Sequence, residues 1–187
     1  MADTQFLTNH FLIAMPMLED PNFYHSVTYI CEHNEQGAMG IVINRPLDIA
    51  LGDVLEHMQI EQHNPNNAGR EIYLGGPVQP ERGFVLHEPP GQWDAMLPVT
   101  KQIGITTSRD ILMAMNDGQG PERALVALGY AGWGPGQLEQ EITENAWLSV
   151  PADTAIIFDT PIERRWQAAA ANLGIDLNTL SDDIGHA

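Results

Sequence analysis

The stretch TTSRD at 106–110 gathers three hydroxyls, a guanidinium and a carboxylate where a helical pattern begins. Thr107 or Ser108 is placed to cap that helix, and Thr107 with Asp110 three residues on approximates a capping box. Arg109 fits less well, because a cation in a first turn faces the positive end of the helix dipole. Either a carboxylate such as Asp110 neutralises it, or it reaches out to an anion. Hydroxyls, helix N–H groups and a guanidinium together make a small-anion site, so Thr107, Ser108 and Arg109 are candidate ligand contacts. INRPL at 43–47 adds Asn44 and Arg45 at a strand end, just before a proline. ERGFVLHE at 81–88 adds Arg82 before a strand and His87 at its end. Histidine titrates near neutrality, so His87 is the natural acid–base group of such a set. Each has a plainer reading as well: a turn with an exposed arginine, or a surface or capping histidine.

GYAGWGPGQLEQEI at 129–142 has the glycine density of a phosphate loop. Gly129 and Gly134 carry the G-x-x-x-x-G spacing, but Pro135 and Gly136 stand where Lys and Ser or Thr serve phosphate and Mg²⁺. Gly132-Trp133-Gly134 opens a dinucleotide pattern that ends wrongly at Gln137. The helix that follows carries Glu139, Glu141 and Glu144, which would repel a phosphate. A sharp strand-to-helix reversal explains the glycines, with Pro135 at the first helical position and Leu138, Ile142, Ala146 and Trp147 as the buried stripe. Tyr130 and Trp133 are left as candidates for a partner surface.

Cys31 and His33 in CEH alternate onto one strand face. No C-x-x-C or H-x-x-x-H supports a metal there, and no G-x-S-x-G elbow makes Ser108 a nucleophile. No metal and no cofactor are expected, and no catalytic residue can be named.

The elements that must position these residues follow from periodicity and breakers. Strands are expected at 11–15, 26–33, 38–44, 72–74, 83–87, near 97–106, at 123–130 and at 154–159. Helices are expected at 51–58, 108–117, 135–146 and 161–174. NEQG at 34–37 turns a hairpin, and the polar stretch 61–71 reads as a mobile loop. Strands dominate the first half, and β alternates with α in the second. The class that follows is α+β: a mixed, strongly curved sheet flanked by helices, with residues 1–187 forming a single domain.

The formal charge is −17, with only eight Lys and Arg, and the sole basic doublet is Arg164-Arg165. Nonspecific affinity for nucleic acid comes from Lys and Arg neutralising phosphates, so direct nucleic-acid binding is not expected. A single cysteine allows no intramolecular disulfide and suits a reducing compartment. No stretch approaches the length of a membrane span, and MADTQFLTNHFLIAMP lacks the basic start of a signal peptide. These features suit a cytoplasmic protein with no membrane partner.

Taken in order, NHFLIAMP, DPNFYHSVTYICEHNEQGAMGIVINRP, GGPVQPERGFVLH, TTSRD, LGYAGWGPGQLEQEITENAWL, PAD and the terminal GHA resemble the AlgH/YqgE family of bacterial proteins. The resemblance runs from about residue 9 to 187, and 48–71 carries none of its motifs. It implies a bifurcated sheet curled into a pseudo-barrel with flanking helices, in a bacterial cytosolic protein. One branch of that largely uncharacterised family is named as a regulator of alginate synthesis at the level of transcription. The family supplies no catalytic residues to carry over.

Two function classes stand side by side. One is a regulatory or binding protein acting through a small anionic ligand or a protein partner, affecting transcription indirectly. The other is an enzyme with an anion-recognising pocket at strand ends. A pocket holding His87 with two arginines would favour the enzyme or a ligand sensor. A flat aromatic patch around Trp133 would favour a protein partner. Charge yields the first test: the protein should show no retention of duplex DNA at physiological salt in a filter-binding assay. Tight, steeply salt-dependent retention would contradict it.

Overall fold

The computed structural model describes residues 6–177 apart from Glu19 and Asn22; GHA at 185–187 lies outside them. The chain divides into two compact units, an outer one from residues up to Asn44 together with those from Ala131 on, and an inner one spanning Arg45–Tyr130. No helix among the described residues is long and apolar enough to cross a membrane.

The outer unit contains β1 (His10–Ala14), β2 (Val27–Asn34) and β3 (Gly37–Val42). Later in the chain come α4 (Gln137–Thr143), β10 (Trp147–Pro151), α5 (Thr154–Phe158), a 3₁₀ turn (Ile162–Arg164) and α6 (Arg165–Ala171). Its strands run antiparallel in the order β10-β1-β2-β3, and the last three residues of β9 (Arg123–Trp133) pair with β3. Phe11, Leu12, Ile13 and Ala14 are all fully buried, so both faces of β1 are covered. That is why this strand reads as an unbroken apolar run. The expected hairpin forms at Asn34 and Gly37, with Gly37 at φ 135°. A side chain on Gly37 would run into the Trp133 carbonyl.

The inner unit contains β4 (Pro46–Ala50), α1 (Leu51–His57), α2 (Pro65–Ala68), β5 (Glu71–Leu74) and β6 (Val78–Glu88). These are followed by β7 (Met96–Pro98), β8 (Gly104–Thr106), α3 (Arg109–Asn116) and the first eight residues of β9. β5 lies parallel to β9, whereas β6 pairs antiparallel with β9 and β8. The sheet is therefore mixed and the class α+β, as expected. Leu51, Leu55, Ile72, Val85, Ile111, Leu112, Met115 and Val126 form the core here.

Several expected elements differ. Residues 154–159 are not a strand. Asp153 caps α5 by accepting the Ala155 amide at 3.0 Å, and this local cap overrides the β-propensity of Ile156 and Ile157. The strand in that region is β10, which pairs with β1. The single strand near 97–106 is a β7–β8 hairpin, closed by Thr100 Oγ1 accepting the Gln102 and Ile103 amides. The stretch 61–71 holds α2 and is tied down by polar side chains. Asn116 Nδ2 donates to Glu61 O, Asn67 Nδ2 to Met115 O, and Gln62 Nε2 to Gly52 O, at 2.6–2.8 Å.

The glycine turn is a packing device. Gly129 sits at φ 78°, and a side chain there would strike the Gly76 carbonyl. Gly136, not Pro135, borders the helix: it is the N-cap of α4 in a left-handed conformation at φ 74°, which glycine adopts without penalty. Gln137 Oε1 accepts the Gly134 amide at 2.9 Å, the kind of donor a phosphate loop would leave for phosphate. Glu141 Oε1 accepts both indole N–H groups, from Trp133 at 3.1 Å and Trp147 at 3.0 Å. Leu138 is fully buried in the same cluster, with Ile142 and Ala146 against it. Glu141→Ala would strand two indole donors, and we expect a loss of about 2 kcal/mol in denaturant unfolding with a change in tryptophan emission. Glu144→Ala, whose partner is the exposed Gln140 amide, should lie within about 0.5 kcal/mol of wild type.

Candidate functional site

A cavity of about 510 Å³ opens within the inner unit. Its wall is apolar: Ile49 from β4, Val54 and Met58 from α1 and the residue after it, Val85 from β6, Leu112 from α3, and Val126 and Leu128 from β9. Val54 and Met58 meet there because residues four apart share a helix face. The polar lining comes from Thr106–Arg109 where β8 gives way to α3, from Asp53 and His57 on α1, and from Glu81. Glu81 arrives through a register break in β6. Val78 pairs with Tyr130 and Gly83 with Leu128, so the residues between them bulge out of the ladder.

Thr107, Ser108 and Arg109 are thus brought to one cavity, but most of their neighbouring donors are already used. Ser108 is the N-cap of α3, yet its hydroxyl caps no helix amide. It donates to Asp110 Oδ1 at 2.5 Å and accepts the Ala95 amide at 2.9 Å. Asp110 accepts the Ile111 amide at 3.0 Å and the Asp94 amide at 2.9 Å. Burial acts to raise its pKa, but these hydrogen bonds together outweigh it and hold the carboxyl below the usual range. The expected capping box is replaced by this carboxylate, and the start of α3 carries its own anion.

Arg109 is exposed and donates from Nη2 to the Met58 carbonyl at 3.3 Å. Met58 is the C-cap of α1, where carbonyls lack helical partners and the dipole is negative. A cation misplaced in its own helix is therefore offset by the end of another. Among the described residues neither Asp110 nor another carboxylate forms an ion pair with it.

The other expected site residues lie elsewhere. Asn44 braces a turn in the outer unit, with Oδ1 accepting the Val27 amide and Nδ2 donating to the His25 carbonyl, both at 2.9 Å. Arg45 is half-buried, its carbonyl accepts the Leu74 amide, and it does not line the cavity. Arg82 is exposed on the β6 bulge, donates to Gln79 Oε1 at 3.3 Å, and lies 5.4 Å from the Phe84 ring centroid. Tyr130 sets its edge against the same ring. Trp133 is only 7% exposed and packs with Phe23 and Trp147, so it is core and not a partner surface.

His87 is fully buried within β6 and reaches the cavity only through Thr106. The Pro89 carbonyl can only accept, so Nδ1–H donates to it at 3.0 Å, and the Thr106 hydroxyl donates to Nε2 at 2.7 Å. Burial lowers the His87 pKa, opposed in part by the Pro89 bond. Both nitrogens have partners within the fold, and Thr106 rather than His87 faces the cavity. The CEH pair is likewise occupied. His33 Nδ1 accepts the Leu7 amide at 2.9 Å, so Nε2–H donates to Glu139 at 2.6 Å. Cys31 is buried, and that burial raises its thiol pKa. Among the described residues no group of three or more His, Cys, Asp or Glu could hold a metal.

The family described as DUF179, AlgH-like, matches residues 11–178. A UPF0301 protein of Thioalkalivibrio sulfidiphilus is 62% identical over the whole of both chains. A UPF0301 protein of Nitrosococcus oceani is 58% identical over 97% of each. The solution structure of the AlgH protein from Pseudomonas aeruginosa superimposes with a TM-score of 0.82 at 49% identity, covering 97% of this chain and 96% of that one. A Corynebacterium diphtheriae protein, DIP2367, shares the fold at TM-score 0.70 and 22% identity, over 90% and 87% of the two chains.

The His87 environment has a pH signature. The unfolded chain takes up a proton on this imidazole near pH 6.5, and the native protein does so only at lower pH. Across that window the unfolded state binds more protons, so stability is fully present above about pH 6.5 and is lost on acidification. The gap in unfolding free energy between wild type and His87→Gln should therefore narrow as pH falls from about 7.5 to 5 in denaturant titrations. A constant gap would mean that His87 titrates normally in the native state.

Proposed function

The chain belongs to the AlgH-like family, and from that premise we propose that it is a binding protein whose small ligand occupies the cavity of the inner unit. The observation that carries this reading is the division of the lining: a continuous apolar wall with polar groups gathered on α1, the start of α3 and the β6 bulge. Ligand sites are built this way, with apolar surface for affinity and a few polar groups for orientation, and about 510 Å³ falls in their usual range.

Two features weigh against catalysis at this cavity. The expected acid–base residue is locked behind Thr106, and the Ser108 hydroxyl is held by Asp110. A protein-partner reading loses its aromatic patch with the burial of Trp133. Any influence on transcription is indirect, because a chain of charge −17 is repelled by duplex phosphates. A cytoplasmic setting suits the lone cysteine.

A neutral apolar probe tests the cavity. Saturating 1-octanol should raise the melting temperature; a ligand at a hundred times its dissociation constant stabilises by about 2.7 kcal/mol. Val54→Trp, at a half-buried lining position, should fold as judged by circular dichroism and lose the shift. An equal shift in this variant would place the probe elsewhere.

A further inference from the structure

We infer that the ligand of this cavity is a monocarboxylate with an aliphatic or aromatic body, whose carboxylate draws Arg109 away from the Met58 carbonyl. This rests on the cavity being the binding site and adds the chemistry of the ligand's head.

Among the described residues, Arg109 is the one lysine or arginine side chain in the lining. Its bond to Met58 is 3.3 Å long, beyond the usual N–H···O range, and the acceptor is neutral. A carboxylate offers two oxygens matched to the guanidinium fork, and such charge-assisted bonds are roughly twice as strong. Exchange of partner leaves the Met58 carbonyl able to bond water, since Met58 is only half-buried. Thr107 lines the cavity beside Arg109 and supplies a hydroxyl next to the same head.

The surrounding charges limit that head. Asp53 and Glu81 line the same cavity, and Asp110 occupies the start of α3. A phosphate dianion or a citrate would meet one guanidinium and several carboxylates, and like charges disfavour it. The Ser108 hydroxyl and Ile111 amide, which would have helped a polyanion, are held by Asp110. A singly charged head draws on Arg109 alone and leaves the rest of the molecule to the apolar wall.

Calorimetry with octanoate, 1-octanol, octylamine, phosphate and citrate, on wild type and Arg109→Gln, tests this. Arg109 is exposed, so the substitution should leave the fold intact. Octanoate should bind wild type at least about tenfold more tightly than octanol, the scale of a hydrogen bond to a charged group. Arg109→Gln should erase that preference while leaving octanol binding unchanged, and Arg109→Lys should restore part of it. Affinity should rise roughly fourfold per methylene from hexanoate to octanoate. Phosphate and citrate should not displace octanoate. Equal binding of octanol and octanoate, tighter binding of octylamine, or displacement by phosphate would overturn the carboxylate assignment while keeping the cavity. Absence of binding by both octanol and octanoate would overturn the cavity reading and this inference together.

Discussion

A buried strand cannot leave its backbone N–H and C=O groups without partners, and β9 is where this requirement is most demanding. Its residues Val126, Ala127 and Leu128 lie between β5 on one side and β6 on the other, parallel to the first and antiparallel to the second. Its last three residues pair with β3. One strand thus completes a ladder in each unit, and its residues can be exchanged only with care. Gly129 shows the tightness: its left-handed backbone and the approach of the Gly76 carbonyl leave no space for a Cβ. The cavity depends on the same strand, since Val126 and Leu128 form part of its wall.

Helix ends supply the second organising constraint. α1 and α3 are short, so a large share of their backbone groups needs partners from outside the helix. Asp53 accepts the Ala50 amide at 2.9 Å before α1, and Asp110 gathers amides at the start of α3. Arg109 serves the C-terminal end of α1 by lying on the Met58 carbonyl. Asp53 and Arg109, both in the cavity lining, thus serve helix ends as well.

How much of this was legible in the sequence depends on the range of the interactions. Local periodicity placed α1 and α3 within a residue or two, and turn chemistry located the β2–β3 hairpin. The glutamates after the glycine turn were legible only as negative charge, and Glu139 and Glu141 prove to be partners of His33, Trp133 and Trp147. Arg109 was legible as an anomaly, because its conflict with the dipole is local; its partner lies 51 residues away and was not. His87 was misjudged because alternation along β6 does not reveal that the strand is covered on both faces at that point, where Phe84 to His87 are all buried. Asp53 and His57 lie on α1, which was legible as a helix, but nothing local marked them as lining a cavity. Residues 154–159 failed through propensity: two isoleucines suggested a strand, and one aspartate before them decided for a helix.

The order of the two units along the chain also orders events during synthesis, since residues 45–130 interrupt the sequence of the other unit. Residues 45–130 are contiguous, so their ladders can close while the chain is still leaving the ribosome. The outer unit cannot close then. β1, β2 and β3 emerge first, but β1 pairs with β10, which is made only after the entire insert. Until then an apolar strand destined for burial on both faces has an unpaired edge, the arrangement most prone to joining the wrong chain. Contacts of such sequence separation also slow folding. The fold thus leaves its first strands to wait, and whatever shields them in the growing cell shields the protein's most vulnerable interval.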